Sequence, residues 1–165
     1  MIDRLLAGID ALAVLAARLA AGLLAALFVI GFAELAARAI FDRSLGFALE
    51  YSGYLVAHVL LLGSGRALGT GGHIRIALLL DRLPARLRAT VDFAATAAAF
   101  AAASMLAFAL VRYTMETAAL DARSYFPTAT PLWLPQALLA AGPVILALAL
   151  LARLVRLLRG EEAET

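Results

Sequence analysis

The spacing of charged residues constrains this chain more than any other feature. Residues 19–33, 51–65, 93–111 and 124–152 carry no charge, giving runs of roughly 15, 15, 19 and 29 residues. A helix rises about 1.5 Å per residue, so about 20 mainly apolar residues cross a hydrocarbon core. Extended through flanks that hold an occasional charge, the runs predict four spanning helices at about 11–33, 47–68, 91–112 and 132–152. Arg18 sits near one end of the first span, where its long stem can carry the guanidinium to the headgroups. The third span is Ala-rich and takes its apolar weight from Phe93, Phe100, Met105, Leu106 and Phe108. Overall the chain is 64% apolar and 16% charged. Soluble domains average about 45–50% and about 25%, and one core of this size cannot hide the excess. Residues 1–165 are therefore read as a single all-α membrane domain. Asp3 and Asp10 in the leading region are unusual for a cleaved signal peptide.

The same residues exclude several functions. There is no Cys, which removes disulfides and thiol chemistry, and the two His residues, His58 and His73, are too few for a metal centre. The 14 basic residues are all Arg and are scattered in loop-sized groups, with no basic stripe for nucleic acid. No nucleophile–base pair, HExxH run or pair of midplane carboxylates appears, so an enzyme is not expected. No cofactor is expected either.

Orientation follows from Arg in the connections. The N-terminal segment, the second connection and the tail together hold 10 Arg, against 4 in the first and third connections. Both termini and the second connection are thus expected in the cytoplasm, with the segments near 41–47 and 120–130 outside.

The second connection has its own pattern. Thr70-Gly71-Gly72 is a breaker cluster. After it Ile76, Leu79, Leu80, Leu83 and Leu87 recur at helical spacing, while Arg75, Arg82 and Arg86 fall on another side. This predicts an amphipathic helix at about 73–83 lying along the cytoplasmic membrane surface. A plain linker is the alternative. Pro84, favourable at a helix start, predicts that the third helix begins there.

The run Glu50-Tyr51, Gly63, Arg66-Ala67-Leu68, Gly72-His73-Ile74-Arg75-Ile76 and Asp81-Arg82-Leu83-Pro84 resembles the small integral membrane (Q-type) subunit of tripartite ATP-independent periplasmic (TRAP) transporters. Pro131-Leu132-Trp133 at the start of the fourth span is also similar, as is the overall length. The chain differs from the family pattern at Ala77, where an acidic residue is usual, and in the order Gly142-Pro143. The resemblance implies a heterodimeric, non-catalytic role. A large multi-span subunit would carry substrate and sodium sites and move as an elevator, and a periplasmic substrate-binding protein would deliver the solute. This chain would brace the stationary scaffold in a bacterial inner membrane, and sodium is expected only in the large partner.

Within that frame, Glu50, Tyr54 and His58 share one helix face at i, i+4, i+8, continued by Leu61 and Gly65. Lipid cannot satisfy a polar stripe, so this one faces protein: either the large subunit or the other helices of the chain. Arg66, His73 and Arg75 are further partner-interface candidates, His73 and Arg75 having a headgroup-facing alternative. Arg82, Arg86 and Arg88 are expected on anionic lipid headgroups. Tyr125 and Trp133 are expected as aromatic anchors at the outer interface, with the periplasmic protein as an alternative contact. Glu34 and Arg38 are spaced to pair. Ala97, Ala101 and Ser104 would allow close helix approach, and Phe93, Phe100 and Phe108 would form one stripe. A self-sufficient four-helix proton-coupled exporter acting as a homodimer is the competing function. The carboxylates it would use, Glu34 and Glu50, lie at predicted helix ends.

Overall fold

A computed structural model describes residues 1–69 and 84–160. The described residues form four helices: α1 (Ile2–Phe41), α2 (Ala48–Gly69), α3 (Ala85–Ala119) and α4 (Trp133–Leu158). No strand occurs among them; the nearest feature is an isolated bridge between Arg123 and Pro131. The amphipathic helix expected at 73–83 lies outside the described residues.

The helices outrun their apolar cores. α1 has 40 residues and α3 has 35, about 60 and 52 Å at 1.5 Å per residue. A hydrocarbon core is about 30 Å thick. Charge-free runs mark only the part suited to lipid, whereas Arg and Glu are good helix formers and carry the helix onward. α1, α3 and α4 are long and apolar enough to cross a membrane. α2 has 22 residues, about 33 Å, but its composition is diluted by Glu50, Tyr54, His58 and Ser64.

Helix ends follow local chemistry. α1 stops at Asp42, which takes a left-handed conformation (φ 51°) and returns its N–H to Arg38 O. Asp is among the few residues that visit this region readily. Pro84 precedes α3 with φ −58° and ψ 147°; lacking an N–H, it costs nothing at that position.

Packing follows a 3–4 alternation. On α1 the buried positions are Leu6, Ala13, Ala16 and Ala20, continued by half-buried Leu23, Leu27, Ile30 and Glu34. On α3 the buried positions are Thr96, Ala103, Ala107 and Thr117. Such heptad-like seams suit nearly parallel helices, and small residues let backbones approach when no hydrophobic force acts between helices in lipid. The seam of α3 is therefore one residue away from the expected set: Ala101 is exposed, as are Phe93 and Phe108, while Phe100 is half-buried.

α4 is the central helix. It packs on α3 and α2 and more lightly on α1, which pairs mainly with α2. Its interior is Ala140, Gly142, Pro143, Ile145, Leu150 and Ala152. A Cβ on Gly142 would lie 2.7 Å from the Leu61 carbonyl carbon, so this is where the α2 and α4 backbones nearly touch. A core of Ala13, Ala16, Ala20, Leu62 and Ile145 surrounds the crossing. α2 and α4 run in the same direction, opposite to α1 and α3. One end of the molecule thus gathers the connections 42–47 and 120–132 (the loop end), and the other gathers the two chain termini (the terminal end).

Candidate functional site

The loop end of α2 carries the polar stripe. Glu50 is 3% exposed and His58 5% exposed, Gly65 is buried and Tyr54 is half-buried. Of the two placements open to this stripe, its hydrogen bonds run within the chain. Tyr54 OH donates to Glu50 Oε1 at 2.9 Å. The Thr128 hydroxyl donates to Glu50 Oε2, and Thr130 donates to Thr128 Oγ1 at 3.2 Å. Ser124 and Thr130 also act on the carboxylate. Tyr51 OH lies 3.3 Å from Thr130 Oγ1. Two turns deeper, the His58 ring sits between the Tyr54 carbonyl and the Pro135 carbonyl of α4, the latter 2.8 Å from Nε2. Thr117 of α3 donates to the Gln136 amide oxygen of α4. These bonds fasten the 120–132 connection and three helices to one another.

The connection itself is ordered by backbone pairing. Ser124 N–H donates to Thr130 O at 2.9 Å, and Leu132 N–H to Ala122 O at 3.0 Å. Its tip presents Tyr125 fully exposed, and Trp133 opens α4 partly exposed. On the other connection, Glu34 accepts from Arg38 Nε at 2.6 Å, Ser44 Oγ at 2.8 Å and Leu45 N–H at 2.9 Å. The expected Glu34–Arg38 pair is present, and the carboxylate also captures the 42–47 turn.

At the terminal end three ion pairs tie α4 to its neighbours. Arg153 reaches Asp92 of α3 at 2.9 and 3.0 Å. Arg156 reaches Asp10 of α1 at 2.5 Å, and Arg159 reaches Asp3 at 2.7 Å. The Arg159 guanidinium, by hydrogen bonding and charge, holds the Asp3 carboxyl below its ordinary range. Arg153 is only 12% exposed on its side chain, and its Nε is buried without a partner. Sequence reasoning used these Arg residues for orientation alone. The signal for pairing was available: Asp3 and Asp10 are seven apart and so share one face of α1, and Arg153, Arg156 and Arg159 recur at i, i+3, i+6.

Arg66 lies exposed in the last turn of α2, and Arg88 lies exposed in the first turn of α3. His73, Arg75 and Arg82 fall outside the described residues, as does the side chain of Arg86. Other hydroxyls inside the helices bond backwards to their own backbone: Thr96 to Asp92 O, Ser64 to Leu61 O and Thr114 to Leu110 O, each at 2.7 Å. They are satisfied locally and mark no pathway. No cluster of metal-ligating side chains occurs among the described residues.

The family model for the DctQ component of tripartite ATP-independent periplasmic transporters matches residues 27–160. The chain belongs to this DctQ family. Among curated proteins, none matches it. The match takes in α2, α3, the hydroxyl-rich connection and the whole of α4, hence every bond that fixes the loop end. It makes the chain a small membrane component of a transporter, a role distinct from that of an enzyme, and its apolar helices agree with a place in the membrane. As a DctQ component it implies a large membrane subunit and a substrate-binding protein as partners. Its internal polar groups join helix to helix and helix to connection.

Proposed function

We propose that this DctQ chain is the small permease subunit of a sodium-driven TRAP importer and braces the stationary scaffold of the large, elevator-type subunit. The DctQ match over residues 27–160 carries this reading. The arrangement of polar groups supports it. A carrier keeps polar groups and broken helices near the midplane for its cargo. Here Glu50, Tyr54, His58, Thr117 and Gln136 are consumed in bracing, and α4 stays continuous through Pro143. The coupling sodium ions then belong to the large subunit.

In this reading α2 crosses the lipid with the other three helices, in the bacterial inner membrane, with both termini and the 70–83 connection cytoplasmic. The loop end faces the periplasm. There Tyr125, held out by a connection that Glu50 fastens, anchors at the interface or helps dock the substrate-binding protein. Arg66, His73 and Arg75 contact the large subunit, and Arg82, Arg86 and Arg88 contact lipid phosphates. The apolar faces left open, including Phe28, Phe32 and Leu35 on α1 and Met105 and Phe108 on α3, are covered by lipid or by the large subunit.

The test is purification from native membranes in gentle detergent. A much larger multi-span protein should co-purify in fixed proportion. The purified chain alone, in vesicles, should move no solute. Recovery of the chain alone, or transport by it that is lost on Glu50→Gln, would support the exporter instead. A reporter fused after Thr165 should register as cytoplasmic.

A further inference from the structure

We propose that the outward face of α1 around Arg18 packs against a membrane helix of the large subunit that presents a carboxylate at the same depth. This rests on the scaffold reading and adds to it the face that meets the partner. Arg18 is exposed, and among the described residues no acidic side chain lies within ion-pair distance of it. Its depth follows from its neighbours. Asp10 of the same helix meets Arg156 of α4, and α4 is uncharged from Trp133 through Ala152, so that pair stands just past the end of the apolar slab. Arg18 lies eight residues further along α1, about 12 Å toward the loop end, and about 7 Å deeper than Arg153, the first charge of α4. Ionisable side chains inside a membrane face protein and pair, because hydrocarbon offers them no acceptor. The open face of α3 makes no such demand. That helix carries no charge between Asp92 and Arg112, so lipid suits its exposed Met105 and Phe108.

The surroundings of Arg18 are shaped for a helix. Leu15, Arg18, Gly22, Ala25, Val29 and Phe32 recur at alternating steps of three and four, and all are exposed. Each lies two residues on from a position of the inward seam, such as Ala13, Ala16 or Ala20, and hence about 200° around the helix. A 3–4 alternation is what one long helix offers another at a shallow crossing angle. Gly22 stands in the middle of this face. Glycine weakens a helix interior relative to alanine, yet a Cβ at Gly22 would meet nothing within 4 Å. Nothing inside the chain calls for so small a residue, whereas a close neighbour outside it does. The charge then selects the neighbour. Two copies of this chain inserted with one orientation and related by a two-fold axis would bring Arg18 against Arg18, like charges at one depth. Lipid tails carry no acceptor. The large subunit implied by the DctQ family is the partner left, and a carboxylate both cancels a guanidinium's charge and matches its paired N–H groups. A guanidinium bent back to a lipid phosphate is the competing arrangement.

The experiment is purification of the tagged full chain from native membranes in gentle detergent, with the ratio of large subunit to chain read by quantitative mass spectrometry. Arg18→Leu should lower that ratio about tenfold or more, Arg18→Lys should keep most of it, and Gly22→Leu should lower it several-fold. Ala101→Leu, on the open face of α3, should leave it unchanged. The melting midpoint of each variant chain alone should not fall below that of wild type, since Arg18 and Gly22 lie outside the packed seam. A photo-reactive residue in place of Ala25 should cross-link to the large subunit. The proposal alone is overturned if the large subunit accompanies Arg18→Leu and Gly22→Leu as fully as wild type, or if the loss tracks a fall in the chain's own midpoint. It is equally overturned if position 25 links only to lipid or to a second copy. If no large protein accompanies even the wild-type chain, the scaffold reading falls and this face falls with it.

Discussion

Replacing Gly142 by alanine tests the packing on which the rest of the molecule is hung. The added Cβ would sit 2.7 Å from Leu61 C and Cβ and 2.8 Å from Leu61 O. Carbon atoms rest at about 3.5–4.0 Å, so α2 and α4 must part by roughly 1 Å. The obstacle is backbone, which cannot rotate aside. Overpacking of this kind costs about 1–3 kcal/mol. The same displacement lengthens the 2.8 Å contact between His58 and the Pro135 carbonyl, and a lost hydrogen bond adds about 0.5–1.5 kcal/mol. A total near 3 kcal/mol corresponds to a fall in Tm of about 6–12 °C for a domain of this size. The assay is a melt in one detergent beside a control, Gly22→Ala. A Cβ at Gly22 meets nothing within 4 Å, so the control should gain up to about 1 kcal/mol from helix propensity alone. If Gly142→Ala melts level with wild type or above it, the close approach of α2 and α4 is not what sets stability and the reasoning fails.

Other expectations follow from the same geometry. His58→Phe removes the tie from α2 to the Pro135 carbonyl and should lower stability by about 1 kcal/mol, read from the same melt, with helix content by circular dichroism unchanged. Thr128→Val strips a donor from buried Glu50 and should cost about 1–3 kcal/mol, and limited proteolysis should then cleave within 120–132 faster than in wild type. Asp92→Arg and Arg153→Asp should each destabilise by about 1–3 kcal/mol, discounted from fully buried pairs because Asp92 is partly exposed. The double exchange should recover most of that loss, and a double-mutant cycle showing no coupling would sink the assignment of α3 to α4 through this pair.

Much of the fold is legible in the sequence because lipid imposes a simple rule. Runs without charge must be helical, since only a helix satisfies its own backbone in hydrocarbon. Helix ends are less legible. Charged residues such as Asp3, Asp10 and Arg156 break an apolar run yet continue the helix, because a partner on another helix meets them. The stripe of Glu50, Tyr54 and His58 could be read from spacing, but its partners could not. Thr128 and Thr130 are ordinary loop residues until the fold returns them to α2 some 78 residues away. A lone acid at a span end, together with a Ser/Thr-rich connection on the same side, is the pattern that would have suggested it. Gly142 was visible only as an unusual neighbour of Pro143; its purpose depends on where Leu61 lies.

The great length of α1 bears on how the protein meets its bilayer. Its roughly 60 Å is about twice the thickness of a hydrocarbon core, and at the terminal end its first turns are clasped to α4 by Arg156 and Arg159. A solitary helix answers a thin or thick membrane by leaning. Here the clasp makes leaning a collective act, so a change in lipid thickness should tip the whole assembly of helices or deform the lipid around it.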